Sequence, residues 1–216
     1  MKPYFEEDGI TIYNADCRAV LPSLQGVDLV LTDPPYGMGF RGQAWDNEIP
    51  VWLDIARAHA PCVAFTTAPT TQWDYPRPDW VGCFYRPASS SRTATGGFNH
   101  WSPILIYGKH KLSVDSINLH AIANSSPKGF HVCPKPIRLM RWLVGELSIE
   151  SDLVCDPFMG SGTTGVACAI EGRRFIGIEI EKSYCDLAIA RIKRARGQYA
   201  EIPRLIRNDK PTPLFG

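Results

Sequence analysis

Asp33, Pro34, Pro35 and Tyr36 form the first string in the sequence whose residue types could carry out chemistry. The string directly follows an apolar run at residues 27–31, which has the length and composition of a buried strand. Pro-Pro-x-Gly is also a good turn sequence, which leaves a purely structural role open. Because ligands of open α/β sheets bind beyond the carboxyl ends of the strands, the position of the string favours a functional site.

The chemistry that suits this string is the activation of an amino nitrogen whose lone pair is delocalised into a nucleobase ring. The carboxylate of Asp33 and the backbone C=O of Pro34 could each accept one amino N–H bond, which favours a tetrahedral, cationic nitrogen in the transition state. Pro34 and Pro35 stiffen the loop that holds these acceptors. Tyr36 offers a flat face for a base removed from its stack. These residues suit an exocyclic amino group of adenine or of cytosine equally well.

A second string with chemical potential occupies residues 156–165 and reads Asp-Pro-Phe-Met-Gly-Ser-Gly-Thr-Thr-Gly. Its glycines fit the pattern Gly-x-Gly-x-x-Gly, and Glu179 stands at the end of the next apolar run, where a ribose-binding carboxylate belongs. A dinucleotide-binding dehydrogenase is one alternative, but only one helical segment and a tail follow Glu179. A tight turn between strand and helix is another. A phosphate-binding P-loop is a poor fit because no lysine follows the glycines.

The elements that must position these strings alternate along the chain. Seven apolar runs predict strands, at residues 10–13, 27–32, 62–67, 81–85, 104–107, 153–156 and 175–179. Amphipathic segments between them predict helices, at residues 18–24, 51–59, 136–147, 163–171 and 183–195. This alternation predicts an α/β fold with a mostly parallel seven-stranded sheet. Only a polar loop, residues 87–100, separates the fourth and fifth runs, so that pair is expected to form an antiparallel hairpin at a sheet edge.

Bulk properties limit the remaining possibilities. A chain of 216 residues is long enough for one well-buried domain, so a single domain over residues 1–216 is expected, with a partly ordered tail at 197–216. No apolar run approaches membrane-spanning length and the first residues lack a signal-peptide core, which predicts a cytoplasmic protein away from membranes. The seven cysteines show no zinc-site spacing, so no metal is expected. Net charge is only +1, so an anionic partner must be met by local basic patches. Two such patches occur: the first runs from Arg86 through Arg92 to Lys109, His110 and Lys111, and the second consists of Arg191, Lys193, Arg194, Arg196, Arg204 and Arg207.

The two strings together resemble the motifs of the DNA amino-methyltransferases in the permuted order called the beta class. The resemblance covers most of the chain and extends to residues 12–18, Ile-Tyr-Asn-Ala-Asp-Cys-Arg, and to His131-x-x-x-Lys135-Pro136. It implies a Rossmann-like methyltransferase fold with a circularly permuted motif order. It also implies an S-adenosyl-L-methionine cofactor, a DNA partner, and a place in a restriction-modification system or a phage.

The resemblance also assigns roles to individual residues. Asp33, Pro34, Pro35 and Tyr36 would be catalytic. Asp16 and Cys17 would border the cofactor adenine, Glu179 would bind the ribose hydroxyls, and Lys135 would close the pocket. The methionine portion of the cofactor would be held by Asp156, Phe158, Gly160, Ser161, Gly162 and Thr163. Members acting on cytosine more often have Ser at the first catalytic position, so Asp33 implies methylation of adenine N6 in DNA.

The chain departs from the family pattern in two places. Val132 stands where a proline commonly follows the histidine. The usual sizeable target-recognition segment is replaced by a short region, residues 87–130, which is expected to be a DNA-contacting insert. Three kinds of alternative stay open: methylation of cytosine N4, methylation of RNA adenine or a protein glutamine, and a non-catalytic nucleic-acid-binding module. A homodimer also stays open. Trp45 and Asp46 follow the catalytic string and are expected either to close over the target base or to anchor the loop.

Overall fold

A single nine-stranded sheet organises the computed structural model, which describes residues 1–39, 46–86, 99–119 and 135–200. The strands are β1 (Phe5–Glu7), β2 (Ile10–Asn14), β3 (Leu29–Thr32), β4 (Cys62–Thr66), β5 (Trp80–Tyr85), β6 (Trp101–Gly108), β7 (Ser116–Asn118), β8 (Leu153–Asp156) and β9 (Arg174–Glu179). Their order in the sheet is β1-β2-β9-β8-β3-β4-β6-β5-β7. All seven predicted strands are present, but the predicted total of seven is wrong.

The two additional strands, β1 and β7, lie at the two edges of the sheet. Each has three residues with mostly exposed side chains, so neither carries the apolar run from which a strand is predicted. The central strands β2, β9, β8, β3 and β4 run parallel, and β6 runs antiparallel to both β4 and β5. The predicted hairpin is therefore confirmed. It is not the outermost pair, however, because β7 adds to β5 in parallel.

The helices cover both faces of the sheet. On one face lie α1 (Cys17–Val20), the 3-10 turn Leu21–Ser23 and α2 (Leu53–His59). On the other face lie α3 (Ile137–Leu147), α4 (Thr163–Glu171) and α5 (Lys182–Ala200). Leu29 and Leu31 of β3 pack on the α3–α5 side, whereas Val30 packs on the α2 side. Burial on both faces is the reason that β3 and β4 are apolar at every position before their final threonine rather than at alternate positions.

Strand direction decides where loops from distant parts of the sequence meet. Because β2, β9, β8, β3 and β4 are parallel, residues that follow them all lie at one edge, which we call the carboxyl edge. Antiparallel β6 begins at this edge, with Trp101 opposite Tyr85. The region predicted as an insert, 87–130, thus contains two strands of the sheet itself. Helix α5 extends past residue 197 to Ala200, and the rest of the predicted tail lies outside the described residues. Among the helices of the described ranges, none is both long and apolar enough to cross a membrane.

Candidate active site

The predicted site residues follow one another across the carboxyl edge in the order of the strands. Asp16 comes after β2, Glu179 ends β9, the glycine loop (residues 157–162) follows β8, and Asp33 follows β3. Neighbouring strands lie about 4.8 Å apart, so these groups span on the order of 15 Å. An extended ligand can therefore contact all of them, with one end near Asp16 and the other end near Asp33.

The carboxylate of Asp33 is held by three side chains from three separate segments. The Tyr36 hydroxyl donates to Oδ1 at 2.7 Å, the Thr66 hydroxyl donates to the same oxygen, and Lys135 Nζ donates to Oδ2 at 2.6 Å. Asp33 remains 27% exposed and Lys135 is 15% exposed. Thr66 ends β4, the strand beside β3, and sequence reasoning missed it because a threonine at a strand end carries no distinguishing signal. The carboxylate is thus fixed in place before any ligand binds.

Lys135 also lies over the ring of Tyr36, with Nζ 5.1 Å from the ring centroid. Burial by itself lowers the pKa of Lys135, but the charge and hydrogen bonds of Asp33 and Tyr36 outweigh it and raise the pKa above its usual value. Burial, followed by the charge of Asp33, raises the pKa of Tyr36. Lys135 is therefore an ammonium and Tyr36 a neutral phenol at neutral pH.

Asp46 fixes the backbone of the loop that follows the catalytic string. Its Oδ1 accepts the N–H of Tyr36 at 2.5 Å and that of Gly37 at 3.1 Å, and its C=O accepts the N–H of Gly39 at 2.7 Å. Its side chain is buried. Of the two roles left open for this residue, the contacts are those of a loop anchor. Trp45 lies outside the described residues.

Asp156 is hydrogen-bonded to residues of both predicted motifs. Its Oδ1 accepts from the Thr32 hydroxyl at 2.5 Å and from the Phe158 N–H at 3.1 Å, and its Oδ2 accepts from the Thr164 hydroxyl at 2.5 Å. Thr32 immediately precedes Asp33, whereas Phe158 lies in the glycine loop and Thr164 lies in the first turn of α4, directly after that loop. Asp156 is only 3% exposed, so its hydrogen bonds hold the loop after β3 and the glycine loop from the protein interior.

This burial makes folding stability depend on pH through Asp156. Desolvation raises its pKa to about 6, although hydrogen bonds from Thr164, Thr32 and Phe158 oppose the rise. Between the ordinary value near 4 and about 6, the folded protein keeps a proton that the unfolded chain has released. This group's contribution to the free energy of unfolding therefore falls as pH rises through that range.

We expect Asp156→Asn to remove this decline. The free energy of unfolding of the variant, minus that of the wild type, should increase by on the order of 2 kcal/mol between pH 4 and pH 7. Urea denaturation at the two pH values measures the change. The exposed Asp54→Asn serves as the control and should show none. A difference for Asp156→Asn that is equal at both pH values would contradict the assignment.

Glu179 accepts two backbone N–H groups, from Gly160 at 2.9 Å and from Glu181 at 2.8 Å. Burial raises the pKa of its carboxyl, and the bonds from Glu181 and Gly160 oppose the rise. A carboxylate so positioned has remaining lone pairs with which to accept ligand hydroxyls. Its strand is paired with β2, opposite Asn14, so Asp16 lies close by on the same edge.

Asp16 and Cys17 occupy the far end of the row. The Asp16 carboxylate caps α1 through the Arg18 N–H at 2.9 Å and pairs with the Arg18 guanidinium at 2.5 Å. Cys17 is buried, which raises the pKa of its thiol to about 11, and its side chain packs in the core between α1 and the sheet. Of the two, Asp16 is the residue whose side chain remains partly exposed to a ligand.

The glycine loop is held from behind by α5. A Cβ on Gly162, whose φ is +79°, would come within 2.6 Å of the Ala188 Cβ, so the loop packs directly on the helix. Arg191 Nη1 donates to the Ser161 hydroxyl at 2.7 Å and lies 3.5 Å from the Thr163 hydroxyl. Sequence reasoning placed Arg191 in a basic surface patch and missed this contact, because nothing local distinguishes it from other arginines of the helix.

Together these groups fit the cofactor that the resemblance implies. Carboxylates at Asp16 and Glu179 suit a nucleoside, and the glycine loop, which carries the apolar ring of Phe158, is next in the row. That ring is supported edge-on by Trp52, with centroids 5.5 Å apart. No cluster of His, Cys, Asp or Glu that could hold a metal ion occurs within the described ranges.

Two basic groups proposed to face a nucleic acid lie away from this edge. Lys109 follows β6, and its N–H donates to the C=O of Pro61 at 3.0 Å, just before β4 begins. Lys109 is thus at the opposite end of strands that are about 15 Å long. In the second patch, Lys193 pairs with Glu7 at 2.5 Å. Arg92, His131 and Val132 lie outside the described residues.

Comparison with known proteins finds similarity to DNA methyltransferases in part of the sequence, along the whole sequence and in the fold. A family model described as DNA methylase matches residues 90–190, which include the glycine loop and Lys135 but not Asp33. Type II methyltransferase M2.MboI of Moraxella bovis is 25% identical over 97% of this chain and 95% of its own length. Orphan methyltransferase M.BamHII of Bacillus amyloliquefaciens is 56% identical over 21% of this chain, a match that spans only 17% of that protein.

Solved structures show the same fold. The M1.HpyAVI–SAM complex superposes with a TM-score of 0.66 at 24% identity, covering 84% of this chain and 99% of that one. PvuII DNA methyltransferase, described as cytosine-N4-specific, superposes with a TM-score of 0.69 at 15% identity, covering 92% and 94%. The Rossmann-like methyltransferase fold is thereby confirmed. The chain is thus similar to the DNA methylases over residues 90–190 and in its fold, and the cofactor of that family is S-adenosylmethionine.

Proposed function

We propose that this chain methylates the N6 amino group of adenine in DNA, using S-adenosylmethionine. The observation that carries the proposal is the Asp33 carboxylate, fixed at the end of β3 beside Tyr36 and next to the glycine loop of β8. The match of residues 90–190 to the DNA methylase model supports methylation of an exocyclic amino group in DNA. Adenine is favoured over cytosine because the resemblance associates an aspartate at the first catalytic position with adenine N6.

The residues at one end of the row would bind the cofactor, and those at the other end would bind the target amino group. Asp16, Glu179 and the glycine loop would hold the cofactor, which when bound supplies a methyl group on a positively charged sulfur. Asp33 and the C=O of Pro34 would each accept one N–H of the amino group, which draws the nitrogen lone pair out of the ring. The amino nitrogen would take up this methyl group and would then release one proton to water. Catalysis on this account comes from positioning and from acceptors fixed in advance.

The test is to identify the methylated nucleoside. DNA is incubated with the protein and methyl-labelled cofactor, then digested to nucleosides and separated, with matched RNA and protein substrates in parallel. The proposal expects label in N6-methyldeoxyadenosine. Label in RNA or protein alone would contradict it. A chain that binds the cofactor and labels no substrate would be a non-catalytic module.

Methylation of cytosine N4 is the second candidate. It is favoured by the superposition on PvuII DNA methyltransferase, which covers most of both chains. The acceptors at Asp33 and Pro34 suit the cytosine amino group physically as well. Label in N4-methyldeoxycytidine from the same digest would support this candidate over the first.

Trp73 offers a surface for DNA bases beside the proposed pocket. It is 81% exposed and lies in the turn Gln72–Asp74, a few residues after Thr66. The same segment contacts the loop after the catalytic string, where the Thr70 hydroxyl lies 3.8 Å from the sulfur of Met38. Stacking of one base on an exposed aromatic ring contributes roughly 1–3 kcal/mol. We expect Trp73→Ala to weaken DNA binding about tenfold, measured by fluorescence anisotropy at one fixed salt concentration.

Trp80→Ala is the matched control for this prediction. Trp80 is 46% exposed but lies on β5, three strands away from β3, in register with Ala64 in the middle of β4 rather than beyond the carboxyl edge. Its replacement should leave DNA affinity unchanged. Equal losses in the two variants, or none in Trp73→Ala, would show that Trp73 does not contact DNA.

A further inference from the structure

Lys135 makes the two contacts that are expected of the target base. Its ammonium donates to Asp33 Oδ2 at 2.6 Å, as the amino group of the base should, and lies over the face of Tyr36, where the base ring should stack. Both side chains of the ion pair are largely shielded from water. A base cannot occupy this place while the ammonium fills it, because two groups cannot pack in the same volume.

Removing Lys135 from Asp33 requires another anion. The ammonium is protonated at neutral pH, and a charge that leaves a partly desolvated partner without a replacement is strongly disfavoured. Release is therefore easy only if a second negative group comes within reach of the same side chain.

The position of Lys135 indicates where that anion comes from. Lys135 lies two residues before α3, a helix that packs on the same face of the sheet as α4, which begins at the glycine loop. Lys135 is also hydrogen-bonded to Asp33. The residue before Asp33, Thr32, donates its hydroxyl to Asp156, which directly precedes the glycine loop. Lys135 thus stands between the proposed base pocket and the loop expected to hold the methionine end of the cofactor, which carries a carboxylate.

We propose that Lys135 is a positioning residue that exchanges Asp33 for the carboxylate of the cofactor, so that cofactor binding frees Asp33 for the target base. The proposal rests on the proposed cofactor, but not on which base is methylated. It accounts both for the cofactor role that the sequence assigns to Lys135 and for its contact with the catalytic carboxylate. It also has a measurable cost, because the cofactor must break the ion pair in order to bind.

A double-mutant cycle on cofactor affinity tests the exchange. Calorimetry measures the binding of S-adenosylhomocysteine, which keeps the carboxylate but lacks the methyl group and the positive sulfur. The proteins are the wild type, Asp33→Asn, Lys135→Met and the double variant. We expect Asp33→Asn to bind three- to tenfold more tightly than the wild type, because Lys135 is already free. In the Lys135→Met background, Asp33→Asn should have no effect.

A purely structural role for the ion pair predicts the reverse, since its loss would loosen the site. Unchanged or weaker binding by Asp33→Asn would therefore overturn the proposal, as would equal tightening in the Lys135→Met background. Adenosine, which has no carboxylate, is the control ligand and should bind the wild type and Asp33→Asn alike. A wild type that binds no S-adenosylhomocysteine would overturn the cofactor and the exchange together. A methylated base other than adenine would overturn only the proposed substrate.

Discussion

Asp33→Asn is expected to slow methyl transfer to DNA by about two to three orders of magnitude, the usual effect of removing one fixed polar group that stabilises a transition state. The asparagine oxygen can still accept the hydroxyls of Tyr36 and Thr66, so the loop should keep its shape. What is lost is the negative charge beside a nitrogen that becomes cationic as the new bond forms. The loss should therefore appear in the chemical step and not in DNA affinity.

Single-turnover transfer from labelled cofactor measures this step directly. Asp54→Asn is the matched control, because that carboxylate is exposed on α2 and should leave the rate unchanged. A rate for Asp33→Asn within a fewfold of the wild type would show that the carboxylate does not act on the amino group. With the binding cycle above, the same variant should be slow in chemistry and yet bind S-adenosylhomocysteine more tightly.

The sequence was sufficient for the features that are local. Each motif is a strand, a loop and sometimes a helix that are contiguous in the chain, so hydrophobic pattern and loop composition predicted them within a few residues. The strand before Asp33 and the helix at Thr163–Glu171 are examples. The antiparallel pairing of β5 with β6 was also predicted, because only a polar loop separates the two strands.

The features that the sequence did not reveal depend on contacts between distant segments. Thr66, Asp46 and Arg191 are ordinary residues in their own neighbourhoods, and their roles follow only from the strand order and helix packing. Lys135 was assigned to the cofactor pocket by resemblance, and its bond to Asp33 could not be foreseen from a separation of 102 residues. Strands β1 and β7 were not predicted from the sequence, because edge strands of three residues need no apolar run.

Asp46→Ala is the second variant with a large expected effect, and its consequences should differ in kind from those of Asp33→Asn. Two backbone N–H groups, at Tyr36 and Gly37, would lose their acceptor in a place where Asp46 is only 2% exposed. Each buried donor left without a partner costs about 1–3 kcal/mol. We expect the free energy of unfolding to fall by about 2–4 kcal/mol in urea denaturation.

The methyl-transfer rate of Asp46→Ala should fall together with its stability, because the loop that carries Tyr36 and the Pro34 carbonyl would no longer be fixed. A loss of at least tenfold in single-turnover transfer is expected, since a small misplacement of reacting groups is enough to slow a positioned reaction. Asp46→Asn keeps an oxygen at the same place and should lose less of both stability and rate. If Asp46→Ala instead lost activity at full stability, the residue would act on the substrate rather than on the loop. That outcome would restore the other role left open for it, closure over the target base.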